Sequence, residues 1–178
     1  VSRQPRVSTT SPLRSSRRTG AGRARSPVPL AKEGAPDGKF LPAMLRRRCT
    51  PLTRTMLAAA WGCLDPAELP TLRSVFASRH GSINESIGLL ENVVRHEKLS
   101  PATFSHTVHN AQAALFSIAA VNRAASSSLS AQEDTWACAF IEALTFLERD
   151  PNAPVLVVIG DVPLADTFAP LVDEPAVP

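Results

Sequence analysis

Val155-Leu156-Val157-Val158-Ile159 is the stretch that decides the fold. It is short, β-branched and apolar on both faces. Such a strand belongs in the centre of a sheet that helices cover on both sides. Reading backwards, Asp150-Pro151-Asn152 breaks the preceding element. Residues 133–148 form that element. Glu133 and Asp134 open it, where acids favour a helix dipole, and Trp136, Ala139, Phe140, Ala143, Leu144 and Leu147 make its apolar side.

Further upstream, residues 124–131 read as a short, serine-rich strand. Residues 110–121 are small and apolar nearly all round, which predicts a buried helix; Asn110 suits its N-cap. Ser100-Pro101 begins a short turn. Ser82-Ile83-Asn84-Glu85 has the spacing of a capping box, and Ile83, Ile87, Leu90 and Val94 continue it as an amphipathic helix to about His96. Residues 72–78 are a candidate strand ending in the turn Arg79-His80-Gly81. Residues 50–62 read as a helix with Pro51 near its start and Gly62 as its stop. The order helix, strand, helix, helix, strand, helix, strand predicts a layered α/β fold, with helices on a mixed sheet of about three strands. No internal repeat is visible.

The 178 residues suit one domain. The longest apolar runs, Met56 to Trp61 and Val155 to Ile159, fall far short of the roughly 18 residues of a membrane span. The three cysteines, Cys49, Cys63 and Cys138, are odd in number and form no CxxC pair. Neither a disulfide framework nor a metal site is expected, and a reducing cytoplasm fits best. No cofactor motif occurs: there is no G-x-G-x-x-G, P-loop, G-x-S-x-G or H-E-x-x-H.

Charge divides the chain. Residues 1–40 carry nine basic and two acidic residues, whereas residues 41–178 carry ten basic and fourteen acidic. The basic part is rich in Ser, Arg, Pro and Gly. It has too little apolar surface to offset the entropy of ordering, and is expected to be a disordered tail. A solvated extension, an organelle transit peptide and a polyanion-binding arm are the three readings of it. No aromatic residue precedes Phe40, so no base-stacking platform accompanies the arginines, and nucleic acid is not the expected partner. Residues 169–178 read as a proline-rich tail.

Several motifs occur in order through the body: Phe76-Ala77-Ser78-Arg79-His80-Gly81, Leu99-Ser100-Pro101, Phe104-Ser105, Val108-His109-Asn110-Ala111, Phe116-Ser117-Ile118-Ala119 and Glu133-Asp134-Thr135. Over residues 41–168 this series resembles the β-ketoacyl synthase-like N-terminal domain family of aryl polyene (xanthomonadin-type) pigment clusters. The resemblance implies a thiolase-like fold, its N-terminal half only, incomplete at the C-terminus. It places Gln132 where active condensing enzymes carry a nucleophilic cysteine between a strand and a helix. A glutamine amide is delocalised and non-basic and forms no thioester. The resemblance therefore implies a non-catalytic chain-length factor in fatty-acyl or polyketide-type assembly. It would pair as a heterodimer with a ketosynthase and receive an acyl carrier protein. His80, His109, Asn110, Gln132, Glu133 and Asp134 are the pocket or interface candidates. Arg46, Arg47 and Arg48 are candidate contacts to an acidic carrier protein.

Each candidate also has a plain structural role. His80 suits a turn, His109 a loop, Glu133 and Asp134 a helix start, and Arg46 to Arg48 a solvated face. Cys138 lies mid-helix and reads as core, and no base is placed for Cys49 or Cys63. An acyl-transfer or condensing enzyme using a cysteine thiol is the alternative from the enzyme class. A polyanion-binding protein acting through the tail and a truncated relic are the others.

Overall fold

The computed structural model describes residues 36–63, 65 and 67–171. The basic tail expected over residues 1–40 lies almost wholly outside these residues, as does most of the proline-rich tail. In chain order the elements are α1 (Ala43–Arg46), α2 (Pro51–Cys63), β1 (Arg73–Ala77), α3 (Ile83–Val94), α4 (Pro101–Thr107), α5 (Ala111–Ala119), β2 (Ser126–Leu129), α6 (Thr135–Arg149) and β3 (Val155–Ile159).

The three strands form one sheet in the order β2-β1-β3, and both pairings are parallel. The expectation of a mixed sheet is thereby corrected: each strand is followed by helix, so every return crosses over and arrives in the same direction. Val75 pairs with Val157 and Phe76 with Val158. Side chains alternate across the sheet, which splits the core in two. Phe76, Leu156 and Val158 face α2 and α5, packing with Leu52, Met56, Leu57, Ala60 and Phe116. Val75 and Ala77 face α6, packing with Ala139 and Ala143. Rings extend the first cluster outward: Phe76 lies 5.3 Å from Phe116, Phe116 meets Trp61 edge-on at 5.6 Å, and Trp61 meets Phe40 at 5.4 Å.

Two polar side chains, one buried and one half-buried, tie the connections down. Asn122 donates from Nδ2 to the carbonyls of Leu69 and Leu72 and accepts from the Ala124 N–H, so the chain leaving α5 is pinned beside the start of β1. The Arg73 guanidinium donates to the carbonyls of Phe146, Asp150 and Ala153, closing the C-terminal end of α6 with positive charge, and lies over the Phe146 ring.

Five details differ from the sequence reading. Gly62 lies inside α2, which ends at Cys63. Ser82 makes no capping bond to α3, because its hydroxyl accepts from the Gln112 amide at 3.2 Å; Glu85 Oε2 has no hydrogen-bond partner among the described residues. Helix α5 is not buried all round: Leu115 and Phe116 face the core, but Ile118 and Val121 are exposed, since the sheet lies on one side only. Helix α6 buries only Thr135, Ala139 and Ala143, while Trp136, Phe140 and Leu144 are half exposed or more. Cys138 on that helix is accordingly half-buried and not core.

Candidate functional site

In a parallel sheet all strands deliver their following loops to one edge, and ligand sites gather there. Ala77 of β1 is in register with Leu129 of β2 and Ile159 of β3. The loops that begin at Ser78, Ser130 and Gly160 therefore leave side by side, and they are bonded to one another.

The Asp161 carboxylate organises the first loop. It accepts from the Ser78 hydroxyl at 2.7 Å and from the Arg79 and His80 N–H groups at 3.1 and 3.0 Å. Successive N–H groups turned onto one carboxylate form an anion-holding nest. Ser78 Oγ in turn accepts from the Gly81 N–H at 2.8 Å. Gly81 has φ +58°, a left-handed conformation that glycine adopts without a Cβ penalty. His80 thus sits in a turn, as expected, but a turn held from β3. The β3 loop is fastened again by Asn84, whose amide donates to the Pro163 carbonyl and accepts from the Ala165 N–H, both at 2.9 Å.

The second loop is an elbow between β2 and α6. Ala131 has φ −144° and ψ 38°, outside both the strand and the helix regions, and Gln132 then turns to φ +51°. A non-glycine residue in this region is uncommon and strained. Thr135 clamps the bend: its hydroxyl donates to the Gln132 carbonyl at 2.7 Å and accepts from the Ala131 N–H at 3.0 Å. A 3-10 turn over Gln132–Asp134 leads into α6. The Gln132 side chain is exposed at this elbow. Its amide can donate and accept hydrogen bonds, but it is neutral and supplies no nucleophile. The elbow is joined to the first loop by the Ser130 hydroxyl on the Arg79 carbonyl at 2.9 Å and by an Arg79–Glu133 ion pair at 3.9 Å.

The structure brings His80 and His109 to one cavity of about 200 Å³, together with Ser82 and Gln112. Asn110 stands at the N-cap of α5 and Asp134 at that of α6, both exposed and neither using its side chain as a cap. Arg47 and Arg48 are exposed beyond α1, and Arg46 is half-buried at its last position.

Cys49 is buried, donates to the Leu45 carbonyl at 3.3 Å, and its thiol pKa is pushed up by burial. Cys63 is exposed. The described residues place no hydrogen-bonded base on any of the three thiols. They also contain no group of three or more His, Cys, Asp or Glu arranged to hold a metal ion. No helix among them is long and apolar enough to cross a membrane. Asp161, Asn84 and Gln112 escaped the reading of the sequence. For Asp161 the one available signal was its place just after a strand, which becomes informative only once that strand is known to be parallel to β1.

A profile of the family described as "Beta-ketoacyl synthase, N-terminal domain" matches residues 21–178, wider at both ends than the motif series. Among solved structures, the chain is similar to one from a ketosynthase (ApeO) in complex with its chain length factor (ApeC) from Xenorhabdus doucetiae. The TM-score is 0.65 at 25% identity, over 83% of this chain and 61% of that one. The present chain thus spans about three fifths of that relative's length. Nothing matches among curated proteins.

Proposed function

The chain belongs to the β-ketoacyl synthase N-terminal domain family, and from that premise we propose that it is a non-catalytic partner of a ketosynthase, a chain-length factor in fatty-acyl, polyketide or aryl polyene assembly. One observation carries the reading: the elbow between β2 and α6 bends at φ +51° and presents a glutamine there, at the position where the resemblance expects a nucleophile. A thioester exchange needs a thiolate or comparable nucleophile at such a point, with a base beside it. Gln132 keeps the bend and gives up the chemistry.

The similarity to a chain from a ketosynthase and chain-length-factor complex supports the same reading. In it, a ketosynthase subunit supplies the nucleophile, an acyl carrier protein delivers the chain, and the loops around Gln132 and His80 border the space that the growing chain enters. Arg47 and Arg48, exposed beyond α1, are positioned to attract an acidic carrier protein.

The test is to supply the purified chain with acyl- and malonyl-carrier thioesters, alone and with a ketosynthase, and to follow protein mass and products. Alone, the chain takes up no acyl group and releases no condensed product; with the ketosynthase, elongation proceeds. Acylation or condensation by the chain alone would contradict the proposal and restore a cysteine-based enzyme.

A further inference from the structure

Trp136 and Phe140 stand one turn apart on α6 with ring centroids 5.7 Å apart, and they keep 64% and 50% of their surface exposed. They flank an apolar cavity of about 220 Å³. Val157 and Ile159 of β3 also line it, as do Ala59 and Cys63 of α2. β3 is an edge strand, so the cavity lies along the side of the sheet, between the helix on one face and the helix on the other. An exposed aromatic pair beside an apolar hollow marks a docking surface.

Charge selects the occupant. Residues 133–150 carry five acidic residues and one basic. Glu133 and Asp134 precede Trp136 by less than a turn, and both are exposed. Asp134 makes no side-chain capping bond, and Glu133 reaches Arg79 at 3.9 Å, near the outer limit of an ion pair. A second copy of α6 would bring the same negative charge against this face. Residues 172–178 hold Asp173 and Glu174 and would do likewise. Residues 23–32, Arg-Ala-Arg-Ser-Pro-Val-Pro-Leu-Ala-Lys, hold three basic residues and no acidic one. Between the charges stands Pro27-Val28-Pro29-Leu30. Prolines come with φ already fixed, and proline-rich segments dock on aromatic-lined surfaces at a low entropy cost. The family profile takes in these residues, since its match begins at residue 21.

The reach is sufficient. The described chain starts at Pro36. Phe40 meets Trp61 on one flank of α2, whereas Ala59 and Cys63 face the cavity on the other. A helix is about 10–12 Å across, and the seven steps from Pro29 to Pro36 span up to about 25 Å. We propose that residues 27–30 of this chain dock in the cavity against Trp136 and Phe140, with Arg23 and Arg25 directed to Glu133 and Asp134. The body thereby supplies the apolar surface that the basic segment lacks. The contact is four residues long, so docked and released forms exchange, and Cys63 stays within reach of small reagents. The docking does not depend on a ketosynthase.

The test places the photoreactive residue p-benzoylphenylalanine at position 28 of the full chain. The dilute protein is irradiated and the crosslinks are mapped by mass spectrometry. The expected product is a monomer joined from residue 28 to the stretch 133–140 or 155–159. Glu133→Lys with Asp134→Lys lowers its yield about fivefold or more, and adding Arg23→Glu with Arg25→Glu restores it. Trp136→Ala lowers it as well; if that variant melts early, the charge reversals decide. Leu90→Ala, at an exposed position of α3, leaves the yield within about twofold. Three results would overturn the inference: crosslinks that map away from the cavity, a yield indifferent to the charge reversals, or a crosslinked dimer in place of the monomer, which assigns the cavity to a second copy's segment.

Discussion

The two faces of the sheet are built to different degrees of closure. On one face, α2 and α5 lay Leu52, Leu57, Met56 and Phe116 onto Phe76, Leu156 and Val158, and Phe116 is fully buried. On the other, α6 packs two alanines and part of Phe146 against the sheet and leaves Trp136 (64% exposed), Phe140 (50%) and Leu144 (61%) largely uncovered. Small residues let α6 lie close to β1 and β3, and Trp136 and Phe140 reach past them to flank a cavity beside Val157 and Ile159 of β3. A helix that leaves this much apolar surface uncovered offers it to a further layer. One face of the sheet is therefore a finished core. The other is the first part of a core whose remaining surface, in the proposed assembly, another layer supplies.

The difference is open to mutation. Phe116→Ala, within the closed face, should cost about 3–5 kcal/mol in denaturant unfolding. Phe140→Ala, at a half-exposed position of α6, should change stability by less than about 1 kcal/mol, and a loss comparable to Phe116→Ala would show that α6 is already covered. Asp161→Ala strips the acceptor from the Ser78, Arg79 and His80 groups, and should cost about 1–3 kcal/mol. Hydrogen exchange would show the loosening concentrated in the loop from Ser78 to Gly81 and absent from the α2 and α5 core. Gly81→Ala forces a Cβ into a left-handed turn with no neighbour to meet, and should cost about 1 kcal/mol from the backbone alone; Gly88→Ala, within α3 and equally unhindered, should stabilise by about as much. The smallest effect is chemical. Iodoacetamide should label exposed Cys63 first, half-buried Cys138 next and Cys49 last, because Cys49 is buried and its raised pKa keeps the thiolate scarce. Fast labelling of Cys49 would show that its face opens.

The sequence carried the strands well, since hydrophobic run length and β-branching are local signals: Val155–Ile159 is a strand to the residue. Helices α2, α3, α5 and α6 were equally legible, with ends within a few residues, whereas α1 went unread and α4 was read only as a short turn. What escaped was relational. The apolar side of α6 was visible as a pattern, but which of its residues meet the sheet depends on alanines fitting where tryptophan cannot. The spacing of Ser82 and Glu85 promised a capping box, yet Gln112, thirty residues on, takes the serine hydroxyl. Of the site, Gln132 and the histidines were found through motif resemblance. Asp161, which holds the His80 loop, is marked locally only by its place just after a strand, because its partners lie more than eighty residues upstream.

The central claim is that this chain shapes product length without performing condensation. The most direct measurement is the product-length distribution of a candidate ketosynthase, purified with and without this chain and supplied with the same carrier-bound precursors. The account predicts a stable complex whose products are longer or more uniform in length than those of the synthase alone, and whose distribution shifts when Gln132 is altered. An unchanged distribution from a synthase that does not bind the chain would contradict it.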